Sequence, residues 1–217
     1  MIDFDAARTT MVDCQVRPSD VTLYPIIDAM LAVAREDFVP TALRPVAYAG
    51  THIDLGGGRV VLDARVFSKM LDALAISPGD LVLDVGAGLG YSTAVISRLS
   101  EAVIGVEEDT DMARDAAQAL ADGGFDNAVV AEAVLTVGDP SHGPYDVIMV
   151  EGGVQTIPDT LTAQLKEDGR IAAIFLDGNA GQVRSGVKIG DQIAWRHMFD
   201  ATAPLLRGFE RAEAFEF

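Results

Sequence analysis

The run Leu81-Val82-Leu83-Asp84-Val85-Gly86-Ala87-Gly88-Leu89-Gly90 decides the fold. A short apolar stretch leads into three glycines at alternate positions, and an apolar helical pattern follows to about residue 99. Glycines there let the backbone approach a ligand where a side chain would collide. Ligands in sheets of this kind sit beyond the carboxyl ends of the strands, where the strand order reverses. The G-x-G-x-G spacing departs from the G-x-G-x-x-G dinucleotide fingerprint. Asp84, two residues ahead of Gly86, suits a cationic ligand better than a pyrophosphate. A phosphate-binding P-loop is excluded, because no Lys-Ser or Lys-Thr pair follows.

Downstream, the pattern repeats. Residues 102–106 read as a second strand and 109–121 as a helix, with acids in its first turn and Gly123-Gly124 past its end. Residues 127–131 and 146–150 are short buried strands. A helix is expected from Pro158 to about Lys166, then a strand over 171–176. Residues 183–189 and 192–199 resemble an antiparallel hairpin turning at Gly190-Asp191, and 210–217 read as one more strand. Trp195 and Phe199 share a side of that hairpin only without a bulge, and read as core or edge cover.

Upstream, Ser19 and Asp20 are expected to cap a helix over 21–33, which Asp37-Phe38-Val39-Pro40 follows. Gly56-Gly57-Gly58 makes a loop, and residues 66–74 read as a helix. The fold class is therefore α/β. It is a doubly wound, Rossmann-like, mainly parallel sheet with helices on both faces, an N-terminal helical lobe and an antiparallel C-terminal edge. Residues 1–76 form the lobe, part of one domain with the core over 77–217.

Composition narrows the partners. Asp and Glu number 33 against 16 Lys and Arg, a net charge of −17, which argues against nucleic acid and against anionic membrane surfaces. Apolar runs of six residues are too short to span a bilayer. Asp3 and Asp5 stand where an export signal would be basic and apolar, so a cytoplasmic protein is expected. Cys14, the single cysteine, reads as a buried structural thiol, and the three histidines lie too far apart for a metal site, so no metal is expected.

Glu107, 21 residues past Gly86 at the end of the second strand, can accept hydrogen bonds from ribose hydroxyls. The glycine loop, Asp84, the strand end and Glu107 together point to a nucleoside-containing cofactor.

These residues resemble the S-adenosylmethionine (SAM) motif of class I methyltransferases. Over nearly its whole length the chain resembles protein-L-isoaspartate O-methyltransferases. The resemblance is carried by Met11-Val12 with Gln15, Glu36-Asp37-Phe38-Val39-Pro40, Ala47-Tyr48, residues 82–91, Pro144-Tyr145-Asp146-Val147-Ile148, and Ile157-Pro158 through Gly169-Arg170. It implies methylation of isoaspartyl carboxylates in damaged proteins, with S-adenosylhomocysteine as the product. It also implies that Gly86, Ala87, Gly88 and Gly90, with Asp84, line the methionine and ribose side of SAM. Glu107 would bind the ribose hydroxyls, and Glu132-Ala133 would lie against the adenine, where the family has Asp-Gly.

The resemblance breaks at Val60-Val61-Leu62-Asp63-Ala64, where Leu62 replaces a family serine near the transferred methyl. The acid often found after the family's Ala-Tyr is replaced by Ala49-Gly50. Arg65 is a substitute that could pair with an acceptor carboxylate. The alternatives are a different acceptor, including a small molecule, or a SAM-binding protein that performs no transfer. A carboxylate acceptor is ionised at neutral pH, so no general base is required, and no catalytic residue is assigned. The sequence leaves the oligomeric state open.

Overall fold

A computed structural model describes residues 2–178 and 180–211. The lobe opens with α1 (Phe4–Met11), whose N-cap Asp3 accepts from the Ala6 amide, and continues through a π-helical turn at Val12–Val16 and a 3-10 turn at Arg17–Ser19. Then comes α2 (Tyr24–Ala32). Ser19 and Asp20 do not cap it. Asp20 takes a left-handed conformation (φ 66°) that ends the preceding turn, and α2 starts three residues after the expected position, with Pro25 in its first turn.

Two 3-10 turns, Arg35–Phe38 and Thr41–Val46, lead to a hairpin of β1 (Ile53–Gly56) and β2 (Arg59–Val61). Gly57 and Gly58, both at positive φ (59° and 78°), make its two-residue turn, a geometry that favours glycine. Helix α3 (Ala64–Leu74) follows, capped by Asp63, which accepts from the Val66 amide at 2.8 Å. Val66, Phe67, Met70, Leu71 and Leu74 are buried on one face, each contributing roughly 1.5–3 kcal/mol relative to exposure. Cys14 is exposed, contrary to the buried thiol expected. It sits in the π-helical turn while the neighbouring Val12 and Val16 enter the core.

The core alternates β3 (Leu81–Val85), α4 (Tyr91–Ser97), β4 (Ala102–Glu107), α5 (Thr110–Asp122), β5 (Ala128–Glu132), β6 (Tyr145–Val154), α6 (Asp159–Thr162), β7 (Leu165–Asp177), β8 (Ala180–Ile189) and β9 (Gln192–Asp200). The seven-stranded sheet runs β5-β4-β3-β6-β7-β8-β9, parallel from β5 to β7 and antiparallel from β7 to β9. Strand order reverses between β3 and β6, so the loop after β3 opens at the switch point, where ligands bind in such sheets.

Two apolar layers flank the sheet. On one side Val82, Val103, Val147 and Met149 pack against the lobe, α3 and α4. On the other, Leu83, Val85, Ile148 and Val150 pack with Leu135, Leu161 of α6, Leu206 and Phe209. Helix α6 is one turn long and does not reach Lys166, because the Tyr145 amide donates to the Gln164 carbonyl at 2.7 Å and Leu165 already pairs with Tyr145. A bulge between Val183 and Arg184 in the β8–β9 register separates Trp195 from Phe199. Trp195 joins the second layer against Phe175, with ring centroids 4.8 Å apart, and Phe199 joins the first. Of the strand expected over 210–217, residues 212–217 lie outside the described residues, and Glu210 and Arg211 are not in a strand. None of the described helices is long and apolar enough to cross a membrane.

Candidate active site

The loop after β3 places Gly86, Gly88 and Gly90 at φ of 86°, 55° and 92°, where a side chain would be strained. A Cβ on Gly88 would lie 2.8 Å from Leu55, and one on Gly90 would lie 3.3 Å from Ala116. The amides of Gly86 and Ala87 donate to the Val106 carbonyl, that of Gly88 to Glu107 Oε2 and that of Gly90 to the Ala87 carbonyl. These four amides are engaged within the protein and do not form a pyrophosphate cradle, in agreement with the glycine spacing.

Asp84 is fully buried at the base of the loop. Its Oδ2 accepts from Ser92 Oγ at 2.7 Å and Thr93 Oγ1 at 2.6 Å, while Oδ1 has no partner among the described residues. Burial pushes its pKa up to about 6, the two hydroxyls pull it down, and Glu107 adds to the rise. Across the switch point stands Glu151, also buried, with Oε1 unpartnered among the described residues. Burial first, and then the charge of Asp84, raise its pKa well above the usual carboxylate range, against the pull of Arg35. Of these two neighbouring acids, Asp84 ionises first, and its unused oxygen behind the glycine loop is one that a cationic group would complete.

One cavity opens against the loop at Gly86 and Ala87, and another lies beyond it against Arg59 and Glu108, past the end of β4. The outer one, about 540 Å³, is lined by Gly57, Arg59, Glu108, Asp109, Met112, Val134, Thr136, Arg207 and Gly208. The inner one, about 10 Å³, is lined by Val60, Val61, Leu62, Phe67, Gly86, Ala87, Tyr91, Ser92 and Glu151. The β1–β2 hairpin supplies residues to both. The segment from Ala203 to Phe209 lends Arg207 and Gly208 to the outer one. It is tied to β6 by the Gly153 amide on the Pro204 carbonyl and the Leu206 amide on the Gly153 carbonyl, both 2.8 Å. A Cβ on Gly86 would touch Leu206 and Glu151, at 3.7 and 3.8 Å.

Glu107 ends β4 as expected, but its carboxylate is enclosed. It accepts from Arg59 Nε at 3.1 and 3.0 Å, and from the amides of Gly88 (2.9 Å), Glu108 (2.8 Å) and Asp109 (3.0 Å). Glu132 is exposed and accepts from Thr110 Oγ1 at 2.7 Å. Glu132 and Ala133 do not line the outer cavity, whereas the following Val134 and Thr136 do. Arg65 is exposed and lines neither cavity. Sequence reading missed Arg59, Glu151 and Leu206. For Glu151 a signal existed, an acid within the apolar run Val147-Ile148-Met149-Val150.

The model of the Protein-L-isoaspartate(D-aspartate) O-methyltransferase (PCMT) family matches residues 10–193. The chain belongs to that family. Among relatives of this isoaspartate methyltransferase family, a protein-L-isoaspartate O-methyltransferase of Methylorubrum extorquens (strain PA1) is 38% identical over 170 residues, covering 76% of this chain and 72% of that protein. One from Roseiflexus castenholzii (strain DSM 13941 / HLO8) is 32% identical over 209 residues, 95% of each. A solved protein-L-isoaspartate O-methyltransferase superposes with a TM-score of 0.81 at 23% identity, over 93% of this chain and 66% of that one. A beta-aspartate methyltransferase (PCMT) from Plasmodium falciparum, in complex with S-adenosyl-L-homocysteine, gives 0.79 at 18%, over 95% and 99%. At these identities the two structures establish the shared methyltransferase fold.

Proposed function

We propose that the protein transfers the methyl group of SAM to isoaspartyl carboxylates of damaged proteins or peptides. The observation that carries this reading is buried Asp84, with an unused oxygen at the glycine loop of a chain belonging to this family. SAM carries an ammonium and a sulfonium at its methionine end, and unpaired buried carboxyl oxygens suit such charges. The outer cavity is large enough for an adenosine, with Met112 and Val134 as apolar walls. The donor set therefore fits the cofactor.

When bound, SAM supplies an electrophilic methyl on sulfur. Asp84 would hold the ammonium, and Gly86 and Gly88 would let the backbone lie against the methionine stem. Leu62 and Phe67, which line the inner cavity, would exclude water from the reacting atoms. The acceptor needs no base, being ionised at neutral pH. The remaining work of the chain is alignment, since misplacement by about 1 Å costs on the order of a hundredfold. The adenine is assigned to the outer cavity, beside Val134 and Glu108. The ribose is assigned to the Glu107 end of β4, reached as Arg59 gives way.

A second reading, a different methyl acceptor, is favoured by Leu62, which cannot donate a hydrogen bond. Labelled SAM offered with an isoaspartyl peptide and the matching aspartyl peptide distinguishes the two. Transfer to the isoaspartyl peptide alone supports the first. Bound SAM with no transfer to either peptide overturns it.

A further inference from the structure

Leu62 and Glu151 line the same inner cavity beside Gly86. Leu62 comes from the end of the hairpin, and Glu151 from β6 where its register with β7 slips between Met149 and Gly153. Such an irregularity re-aims side chains at strand ends. Resting on the isoaspartyl reading, we propose that Glu151, in its protonated form, is the hydrogen-bond donor that holds the acceptor carboxylate, the task for which Leu62 has no hydroxyl.

Three observations support this. Glu151 Oε1 is buried and unpartnered among the described residues, although leaving a buried polar atom unpaired costs about 1–3 kcal/mol. An incoming ligand atom would remove that cost. The groups facing Glu151 are Asp84 from β3, Arg35 from the turn after α2, and Tyr91 from the start of α4. The Arg35 guanidinium stacks 4.7 Å from the centre of the Tyr91 ring and donates to the carbonyls of Ala47 (2.7 Å) and Leu62 (2.6 Å), so it is fixed in place. β2 and the residue after it contribute Val60, Val61 and Leu62 to the cavity, and α3 contributes Phe67, all apolar. Burial and the charge on Asp84 therefore keep the proton on Glu151 while Asp84 ionises. An ionised Glu151 would repel an anionic acceptor, whereas a protonated one donates to it.

In the transfer, an acceptor oxygen forms its bond to the methyl carbon as the carbon–sulfur bond breaks, and that electron pair stays on sulfur. Glu151 keeps its proton throughout. The donor is lost as pH rises through the pKa of Glu151, so the peptide KM should climb at high pH.

The test uses wild type, Glu151→Gln, Glu151→Ala and the double variant Leu62→Ser/Glu151→Ala. Peptide KM and kcat are measured against pH, SAM affinity by calorimetry, and the protonated-carboxyl band by infrared difference spectroscopy. In the expected result Glu151→Ala raises peptide KM at least tenfold with SAM affinity changed less than threefold. Glu151→Gln, whose amide still donates, stays within threefold of wild type with a flat pH profile and lacks the infrared band seen in wild type at pH 7. The serine of the double variant recovers most of the lost KM.

A Glu151→Ala enzyme with wild-type KM overturns the proposal while leaving the isoaspartyl reading intact. So does a Glu151→Gln enzyme as impaired as Glu151→Ala, with a wild-type rate that rises with pH, because that is the signature of a base. Wild type that binds SAM but ignores the isoaspartyl peptide overturns both. Should Glu151→Ala not fold, the near-isosteric Glu151→Gln and its pH profile decide alone.

Discussion

Arg59 Nε donates to both carboxylate oxygens of Glu107, at 3.1 and 3.0 Å, with both side chains closed to solvent. Its Nη2 reaches Glu108 Oε1 at 3.0 Å. The guanidinium thus occupies the carboxylate assigned to the ribose hydroxyls. On the proposed assignment, cofactor entry would exchange one set of donors for another.

Breaking a buried pair from one side typically costs about 3–5 kcal/mol. Arg59→Ala should destabilise the ligand-free protein by about that amount, and S-adenosylhomocysteine should restore more melting temperature to the variant than to wild type. Equal ligand-induced shifts in thermal melts of the two proteins would show that ribose and Arg59 do not compete for Glu107.

Glu107→Ala removes the assigned ribose acceptor. Each charge-assisted hydrogen bond is worth about 1.5–3 kcal/mol, so SAM affinity should fall at least tenfold in calorimetry. Unchanged affinity in a folded variant would move the ribose elsewhere in the outer cavity.

Asp84→Asn keeps an acceptor for Ser92 and Thr93 but removes the charge facing the cofactor's ammonium. SAM binding should weaken by a factor of about ten to a hundred, again from the loss of about 1.5–3 kcal/mol. The fold should persist, checked by circular dichroism. Retention of wild-type affinity would place the ammonium on another group.

The two buried acids also set a pH dependence of stability. Both have folded-state pKa values raised above those of the unfolded chain, so the folded state binds more protons. Their stabilising contribution is full below about pH 4, the usual carboxyl range. It is lost as pH rises through about 6 for Asp84 and through the raised pKa of Glu151. The melting temperature of the ligand-free protein should fall across that window, and less steeply in Asp84→Asn. A melting temperature that rises from pH 5 to 7 in wild type would contradict the raised pKa values of the two buried acids.

The central sheet was legible because strands buried on both faces read as continuous apolar runs, as in Leu81-Val82-Leu83 and Val147-Ile148-Met149. The loop between β3 and α4 was legible because its three left-handed positions need glycine. The cap expected at Ser19-Asp20 failed because capping residues serve turns equally well, and Asp20 took the left-handed turn instead. Glu107 was found by its spacing, but its enclosure was not, since Arg59 lies 48 residues earlier and meets it only through the fold of the hairpin. Leu206 was hidden for the same reason, being more than 100 residues from Gly86 in sequence. Glu132 bonds Thr110 and, like Ala133, does not line the outer cavity, whereas Val134 and Thr136 do, an alternation that the family position alone does not convey.

The family match ends at residue 193, ahead of the segment that carries Leu206 over the switch point. Arg207 and Gly208 of that segment line the outer cavity, beside the place assigned to the adenine. Grafting residues 194–211 onto a related enzyme should transplant how long the cofactor stays resident, and leave untouched which cofactor is chosen.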